Sequence, residues 1–367
     1  EFHHHRLLDC GSDLDRSACM NSTSNNKEPI YLMNTQYDIN LKRAYTNFKQ
    51  ENSSFILISL YLFFEYVRPQ SVYTFLDFIP YVPIIIILCF FSLLVNKDYK
   101  KNVSCIISYC IVLYAFVVIL SSFFSEYSLY SFSRWRIFFD WFVIYFLIIS
   151  IVNNEKRFFL FIFLYLLFSF RMSQHGFRSW VGRGFAFADW GIVGSPGWFH
   201  NSGEAGIQMC IFIPLSISFA ISLYRSSSLF WKIILFSMPF TGVCTIIASS
   251  ARGALLGLIS SGVWGMLRKP SVALRFGLIL IFISIIIYSF IPVEFKSRFN
   301  VAGEDRTSLH RLEKWEHGIQ AMNQYPFLGV GYEAWTLYYP DNYEIKMKGS
   351  LLVHNIFIQY GSELGYF

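Results

Sequence analysis

The feature that most constrains this chain is a series of apolar runs, each long enough or nearly long enough to cross a lipid bilayer. A spanning helix needs about 20 predominantly apolar residues, with a range of roughly 17–25. Backbone polar groups find no water in lipid, so these runs are predicted to be helices. The runs lie at Phe55–Val67, Phe78–Val95, Val103–Phe124, Trp135–Val152, Phe158–Phe170, Gly203–Tyr224, Leu229–Ser249, Gly253–Leu267 and Phe276–Val293, and a tenth begins near Leu351.

Composition favours the same fold class. Of the 367 residues, 54% are hydrophobic and 20% aromatic. Charged residues make up 15%, against about 25% in a typical soluble domain. These values argue against a soluble enzyme, a disordered protein and a disulfide scaffold. We therefore predict an all-α, polytopic integral membrane protein with about ten transmembrane helices, the last of them incomplete.

The runs divide the chain into four segments. Residues 1–50 are polar and aperiodic and are predicted to be a cytoplasmic tail, whose opening Glu1–His5 resembles an expression or translation artefact. Residues 51–293 form the predicted transmembrane bundle. Residues 294–350 form a long loop, and residues 351–367 begin a further transmembrane helix.

The distribution of Lys and Arg between alternate loops predicts the orientation, because cytoplasmic loops carry the excess of positive charge. One set of loops holds Lys42, Arg43, Lys49, Lys97, Lys100, Lys101, Lys156, Arg157, Arg225, Lys232, Arg268, Lys269 and Arg275. The other set, without the long loop, holds Arg68, Arg134, Arg136, Arg171, Arg178, Arg183 and Arg252. The N-terminus is therefore predicted to be cytoplasmic and the long loop periplasmic.

The outer set contains arginine and no lysine, which is typical of fixed, bidentate recognition of phosphate or carboxylate. The net charge of +6 is explained by topology, and no basic-aromatic stripe indicates a nucleic-acid partner. The seven cysteines show no metal-ligand spacing, so we expect neither a metal nor a cofactor.

The long loop is predicted to contain a helix. Thr307 or Ser308 can cap it, and it runs to about Asn323, before Pro326. One face is apolar and is formed by Leu309, Leu312, Trp315, Ile319 and Met322. Another face carries Lys314 and Ala321 with His310 and His317, and these two histidines are predicted to face water.

Three motifs in this order resemble the O-antigen ligase/polymerase superfamily of bacterial polysaccharide assembly. They are Ser249-Ser250-Ala251-Arg252-Gly253, then Arg311-x-x-x-Trp315-x-x-Gly318 with Pro326-x-x-Gly329-x-Gly331-Tyr332, and finally His354-Asn355-x-Phe357 with Glu363-x-Gly365. A fourth motif is similar to the first outer loop of an O-glycosylation ligase subgroup. It consists of Glu65-Tyr66-Val67-Arg68-Pro69-Gln70 with Leu76-Asp77-Phe78. The resemblance also implies further membrane helices beyond Phe367.

The resemblance implies a metal-independent, inverting glycosyl transfer in a bacterial inner membrane. The donor would be a glycan on undecaprenyl pyrophosphate. The acceptor would be a hydroxyl group of lipid A-core, of another glycan or of a protein, and a polysaccharide polymerase stays open as an alternative. Apart from membrane lipids, no other partner is implied.

The resemblance also assigns roles to individual residues. His354 matches the family's general base, and Arg252 and Arg311 match its pyrophosphate contacts. A neutral imidazole suits the activation of a hydroxyl, and fixed cations suit a pyrophosphate leaving group. Arg68 is a further pyrophosphate candidate, and the supporting candidates are Arg136, Glu363 and Asn355.

Two other function classes compete with the transferase. A lipid-linked glycan transporter would also need arginines near the membrane, but it should show internal repeats or paired broken helices, and the sequence shows no repeat. A membrane protease or acyltransferase that uses cysteine would need a base beside its thiol, and the cysteines lie within apolar runs with no obvious base nearby.

Overall fold

The computed structural model describes residues 46, 48–96, 105–186, 191–192, 194–197, 199, 201–268, 306–344 and 351–366, and within these ranges it contains helices and no strand. In the bundle the helices are α1 Ser53–Tyr66, α2 Pro69–Val72, a 3₁₀ turn Thr74–Leu76, α3 Tyr81–Asn96, α4 Ile106–Phe124, α5 Ser128–Ile151, α6 Glu155–Gly182, α7 Ser202–Leu223, α8 Leu229–Ser249 and α9 Arg252–Arg268. After the bundle come α10 Arg306–Gln324, α11 Trp335–Asn342 and α12 Ile356–Leu364.

Four of the described helices, α4, α6, α7 and α8, are long and apolar enough to cross a membrane, and α3 is apolar but shorter. The described part of the chain is therefore all-helical, and its long apolar helices support an integral membrane protein. Helices α1, α5 and α9 overlap three more of the predicted runs. The run at Phe276–Val293 and residues 1–45 lie outside the described residues, so ten spans and a periplasmic loop stay a prediction.

Small polar residues hold α6 against α8. The Thr245 hydroxyl donates to the Ser173 carbonyl oxygen at 2.9 Å, and the Ser173 and Thr241 hydroxyls lie 2.9 Å apart. A Cβ at Gly176 would overlap Thr245, so the two backbones approach closely at this level. Lipid supplies no hydrophobic drive between helices, and close packing with interhelical hydrogen bonds takes its place.

Helices α10, α11 and α12 form a separate aromatic core at one end of the bundle. Its buried members are Ala321, Val330, Ala334, Trp335, Tyr338, Tyr339 and Val353. Two glycines set the crossing of α10 and α12, because a Cβ at Gly318 would overlap Ile358 and one at Gly361 would overlap Met322. The glycine of the second motif therefore brings α12, which follows His354, into close contact with α10.

The helix predicted in the long loop is confirmed as α10, but Thr307 and Ser308 lie inside it rather than capping it, since the helix already includes Arg306. The face that it buries is also not the apolar one. Leu309 and Leu312 are each 50% exposed and Ile319 is 47% exposed, whereas Lys314 is 1% exposed. His310 and His317, which the sequence predicts to face water, are half-buried. Helices α11 and α12 approach α10 on the side of its small residues, which leaves the bulky leucines outside.

The connection between α10 and α11 packs the aromatic core of α10, α11 and α12 against the bundle. Gly329 and Gly331 have φ of 61° and 118°, the left-handed region that glycine adopts without strain. A Cβ at Gly331 would overlap the hydroxyl of Ser125, which lies in the turn between α4 and α5. That hydroxyl donates to the Val330 carbonyl oxygen at 2.6 Å. The second motif therefore joins the aromatic core to the outer turn of the bundle.

Gly331→Ala should weaken the contact between residues 330–331 and Ser125 and so destabilise the protein. The new methyl group meets Ser125 and the φ of 118° disfavours any side chain, so we expect a loss of about 1–3 kcal/mol. The thermal unfolding midpoint of detergent-solubilised protein measures it. Gly262→Ala in α9 is the control, since a Cβ there meets nothing within 4 Å and alanine favours a helix. Equal midpoints for the two variants would contradict the account of this contact.

Candidate functional site

Most of the residues predicted to act in the site fall into two groups of contacts, and Arg136 lies outside both. One group surrounds His354 and Arg311, between α10 and α12. The other surrounds Arg68 and Arg252, where residues 191–192 and 194–197, the outer segment, contact Arg68, α2 and the junction of α8 and α9. Both groups lie at the end of the bundle that the Lys/Arg distribution predicts to be periplasmic.

Two tryptophans hold the segment that carries His354. The indole N–H of Trp335 donates to the Leu351 carbonyl oxygen at 3.0 Å, and that of Trp315 donates to the Val353 carbonyl oxygen at 2.9 Å. Val353 itself is fully buried. Trp315 of the second motif therefore fixes the backbone immediately before His354 of the third.

His354 has a left-handed backbone, with φ of 57°. A side chain costs of order 1–3 kcal/mol in such a conformation, which persists only where the surroundings enforce it. Strain of this kind clusters at active sites and ligand clamps. The imidazole is exposed, so the segment presents it at the surface.

Three cationic residues of α10 lie close enough to influence His354. The surrounding protein, and then the positive charges of Arg311, Lys314 and His310, hold the pKa of His354 below its usual value. A lowered pKa keeps the imidazole neutral at neutral pH, and a general base must be neutral before it can accept a proton.

Lys314 is the member of this group that sequence reasoning missed. The side chain is 1% exposed, and burial is the main cause that lowers its pKa. Its spacing places it one turn after His310 and Arg311, which was a visible signal. Sequence reasoning placed Lys314 on the face opposite the apolar stripe and gave it no role.

Glu363 lies in the last turn of α12 and is 1% exposed. Its carboxylate accepts from the backbone N–H of Glu333 at 3.2 Å and from the side-chain amide of Gln359. Glu333 in turn pairs with Arg134 of α5, at 3.6 Å. Glu363 thus connects α12 to the turn before α11 and, through Glu333, to the bundle.

Asn355 caps α12. Its side-chain oxygen accepts from the backbone N–H groups of Phe357 at 3.1 Å and Ile358 at 3.4 Å. An asparagine directly before an apolar helical run is a recognisable N-cap signal. The structure therefore gives Asn355 a structural role as the N-cap of the helix that starts at Ile356, two residues after His354.

Arg68 lies in the second group and contacts the protein itself. Its guanidinium donates to the Gly197 carbonyl oxygen and lies 3.5 Å from the Glu65 carboxylate. Gly197 has φ of 85°, and a Cβ there would overlap Ser71 and Arg68. Arg68 therefore holds Gly197 of the outer segment against the first outer turn.

Arg252 is the first residue of α9 and follows Ser250, whose φ is 54°. The same outer segment covers this junction, because the Ile192 N–H donates to the Ala248 carbonyl oxygen at 3.2 Å. Arg136 is placed differently. Its side chain is 77% exposed and lies 3.7 Å from Asp140, on the outer surface of α5.

Within the described part of the chain, no group of three or more His, Cys, Asp or Glu side chains has the arrangement of a metal site. The cations that surround His354 come from Arg, Lys and His side chains. They can stabilise an anion directly by charge-assisted hydrogen bonds.

Family comparisons divide the chain into two parts. Residues 237–367 match the family model described as O-antigen ligase. Residues 48–222 match that of a family of unknown function, DUF5935. No curated protein and no solved structure matches the chain.

The O-antigen ligase match covers the stretch in which the three motifs occur in order, including Arg252, Arg311 and His354. The structure adds contacts that link two of these motifs, through Trp315 and Val353. The C-terminal part of the chain is therefore similar to O-antigen ligases, and this match supports a membrane enzyme of the O-antigen ligase/polymerase type.

Proposed function

We propose that this protein transfers a glycan from undecaprenyl pyrophosphate to an acceptor hydroxyl at the periplasmic face of a bacterial inner membrane. One observation carries the proposal. A strained, exposed histidine with a lowered pKa lies beside three basic residues, in the part of the chain that matches O-antigen ligases.

His354 acts as the general base in this proposal. Its neutral ring nitrogen accepts the proton of the acceptor hydroxyl, and the hydroxyl oxygen forms a bond to the anomeric carbon. The bond from that carbon to the pyrophosphate oxygen breaks, and the lipid pyrophosphate leaves with the electron pair. Attack from the opposite side inverts the anomeric configuration, and no metal takes part.

Arg311 and Arg252 bind the pyrophosphate in this proposal. Guanidinium groups match phosphate oxygens in geometry and charge, and they act best in a site with little water. Arg311 lies on the helix beside His354, and Arg252 starts α9 in the other group. We propose that the donor bridges the two groups of residues, with Arg68 holding the outer segment over it.

His354→Ala should abolish transfer, with a rate loss of about 10²–10⁴-fold, the usual contribution of a general base. The measurement follows a radiolabelled lipid-pyrophosphate glycan in proteoliposomes. His317→Phe is the control, because His317 stacks on Tyr343 at 4.2 Å and the phenyl ring preserves that contact. The control should transfer at close to the wild-type rate.

The labelled product separates the alternatives. Label on lipid A-core or protein identifies a ligase, and a ladder of longer lipid-linked glycans identifies a polymerase. Equal transfer by His354→Ala and wild type would remove His354 from the mechanism. Label that crosses the bilayer without changing its carrier would contradict the transferase and indicate a transporter.

The pH dependence of kcat tests the electrostatics around His354. Activity falls as pH drops through the pKa of the base, so the lowered pKa places this acid limb below about 6.5, the usual histidine value. Arg311→Gln removes a positive neighbour and makes protonation easier, so the limb should move to higher pH. The test is a pH profile at saturating donor, scaled to its plateau.

Arg225→Gln is the control for this profile, because Arg225 follows the far end of α7. Its acid limb should coincide with that of wild type. An unchanged limb in Arg311→Gln, or a shift to lower pH, would show that Arg311 does not act on the base.

A further inference from the structure

A chain of hydrogen bonds leads from the buried carboxylate of Glu363 to the backbone beside His354. Glu363 accepts from the Nε2 of Gln359, and the Oε1 of Gln359 accepts from the Val353 N–H at 3.1 Å. Gln359 is half-buried, one turn into α12. It thus contacts both the residue before His354 and the carboxylate that anchors α12.

The side-chain amide of Gln359 can satisfy both neighbours in only one orientation. The Val353 N–H is a donor and requires an acceptor, and both Glu363 side-chain oxygens accept hydrogen bonds, from the Gln359 amide and from the Glu333 N–H. Val353 and Glu363 therefore require the same orientation of the Gln359 amide, with its oxygen toward Val353 and its nitrogen toward Glu363. The backbone N–H of Glu333 fixes the remaining oxygen of the carboxylate in the same way.

These contacts meet where the backbone is strained. Val353 is held on both polar groups, by Gln359 at its N–H and by Trp315 at its carbonyl, and the left-handed residue follows immediately. A base that is misplaced by about 1 Å can cost of order 10²-fold in rate. Loss of the Val353 contact would let the backbone of His354 relax.

We propose that Gln359 is a positioning residue, whose amide, oriented by Glu363, holds Val353 and thereby aims His354 at the acceptor hydroxyl. This inference rests on the proposed function of His354 as the base. It assigns Glu363 to the support of Gln359 rather than to contact with the donor.

Exchanging the two side chains tests this directly, since Glu and Gln have nearly the same shape. In Gln359→Glu two carboxylates face each other in a buried place. In Glu363→Gln every arrangement of the two amides leaves two donors facing, at Val353, at Glu333 or between the two amides themselves. The double exchange restores every donor–acceptor pair, because the carboxylate introduced at position 359 accepts from the Val353 N–H and from the amide introduced at position 363.

Each single variant should lose about 10–100-fold in kcat with the KM for the donor nearly unchanged, since only the aim of the base is altered. The double variant should recover most of the lost kcat. Gln320→Glu makes the same chemical change at an exposed position of α10 and should match wild type. Should Gln359→Glu fail to fold, Glu363→Gln, which adds no buried charge, serves for the comparison with the double variant.

Hydrogen exchange of the Val353 amide, followed by mass spectrometry on peptides that cover 351–355, gives a readout that needs no activity. Exchange should speed up in both single variants and slow again in the double variant, because exchange reports local opening. Single variants with wild-type kcat and exchange, or a double variant no better than either single one, would overturn the inference. A failure of the proposed function alone appears instead as the expected exchange pattern, faster in the single variants and slower again in the double variant, together with transfer that does not depend on His354.

Discussion

The hydrogen bond from the Trp315 indole to the Val353 carbonyl joins the helix that carries the basic residues to the segment that carries His354. It connects α10, which carries Arg311 and Lys314, with the segment that carries His354. Gly318 on the same helix lets α12 approach closely enough for this bond to form. The basic residues and the strained histidine therefore stay together because Trp315 and Gly318 fix the distance between α10 and α12.

Close approach at a glycine also occurs at the edges of the site. Outer segments approach the bundle closely where a glycine has a positive φ, as at Gly331 against Ser125 and Gly197 against Arg68. At both places a polar side chain donates to a backbone carbonyl oxygen, Ser125 to that of Val330 and Arg68 to that of Gly197. Backbone polar groups near a membrane need such partners.

Much of the fold could be predicted from the sequence because hydrophobic run length and helix caps are local signals. Helix α10 ends at Gln324, close to the end predicted from Pro326. The apolar runs of the described region coincide with helices. The buried face of α10 could not be predicted, since periodicity separates two faces without saying which of them a neighbour covers. Lys314 is buried because the small residues Gly318 and Ala321 admit α11 and α12 on its side.

The site could be predicted in part. Motif resemblance located His354 and Arg311, which the structure brings together, and Arg252, which lies in a separate group. Gln359 carries no sequence signal, because its role depends on an amide direction that only its two neighbours define. Asn355 was selected for its place in a motif, and its hydrogen bonds show that it caps a helix.

The most direct test of the account is a structure of the membrane-embedded protein with an undecaprenyl-pyrophosphate glycan bound, determined by cryo-electron microscopy. The account predicts the pyrophosphate within hydrogen-bond distance of Arg311 and Arg252, with the anomeric carbon open to a hydroxyl at His354. A pyrophosphate bound away from both arginines, or a glycan that leaves His354 out of reach, would contradict it.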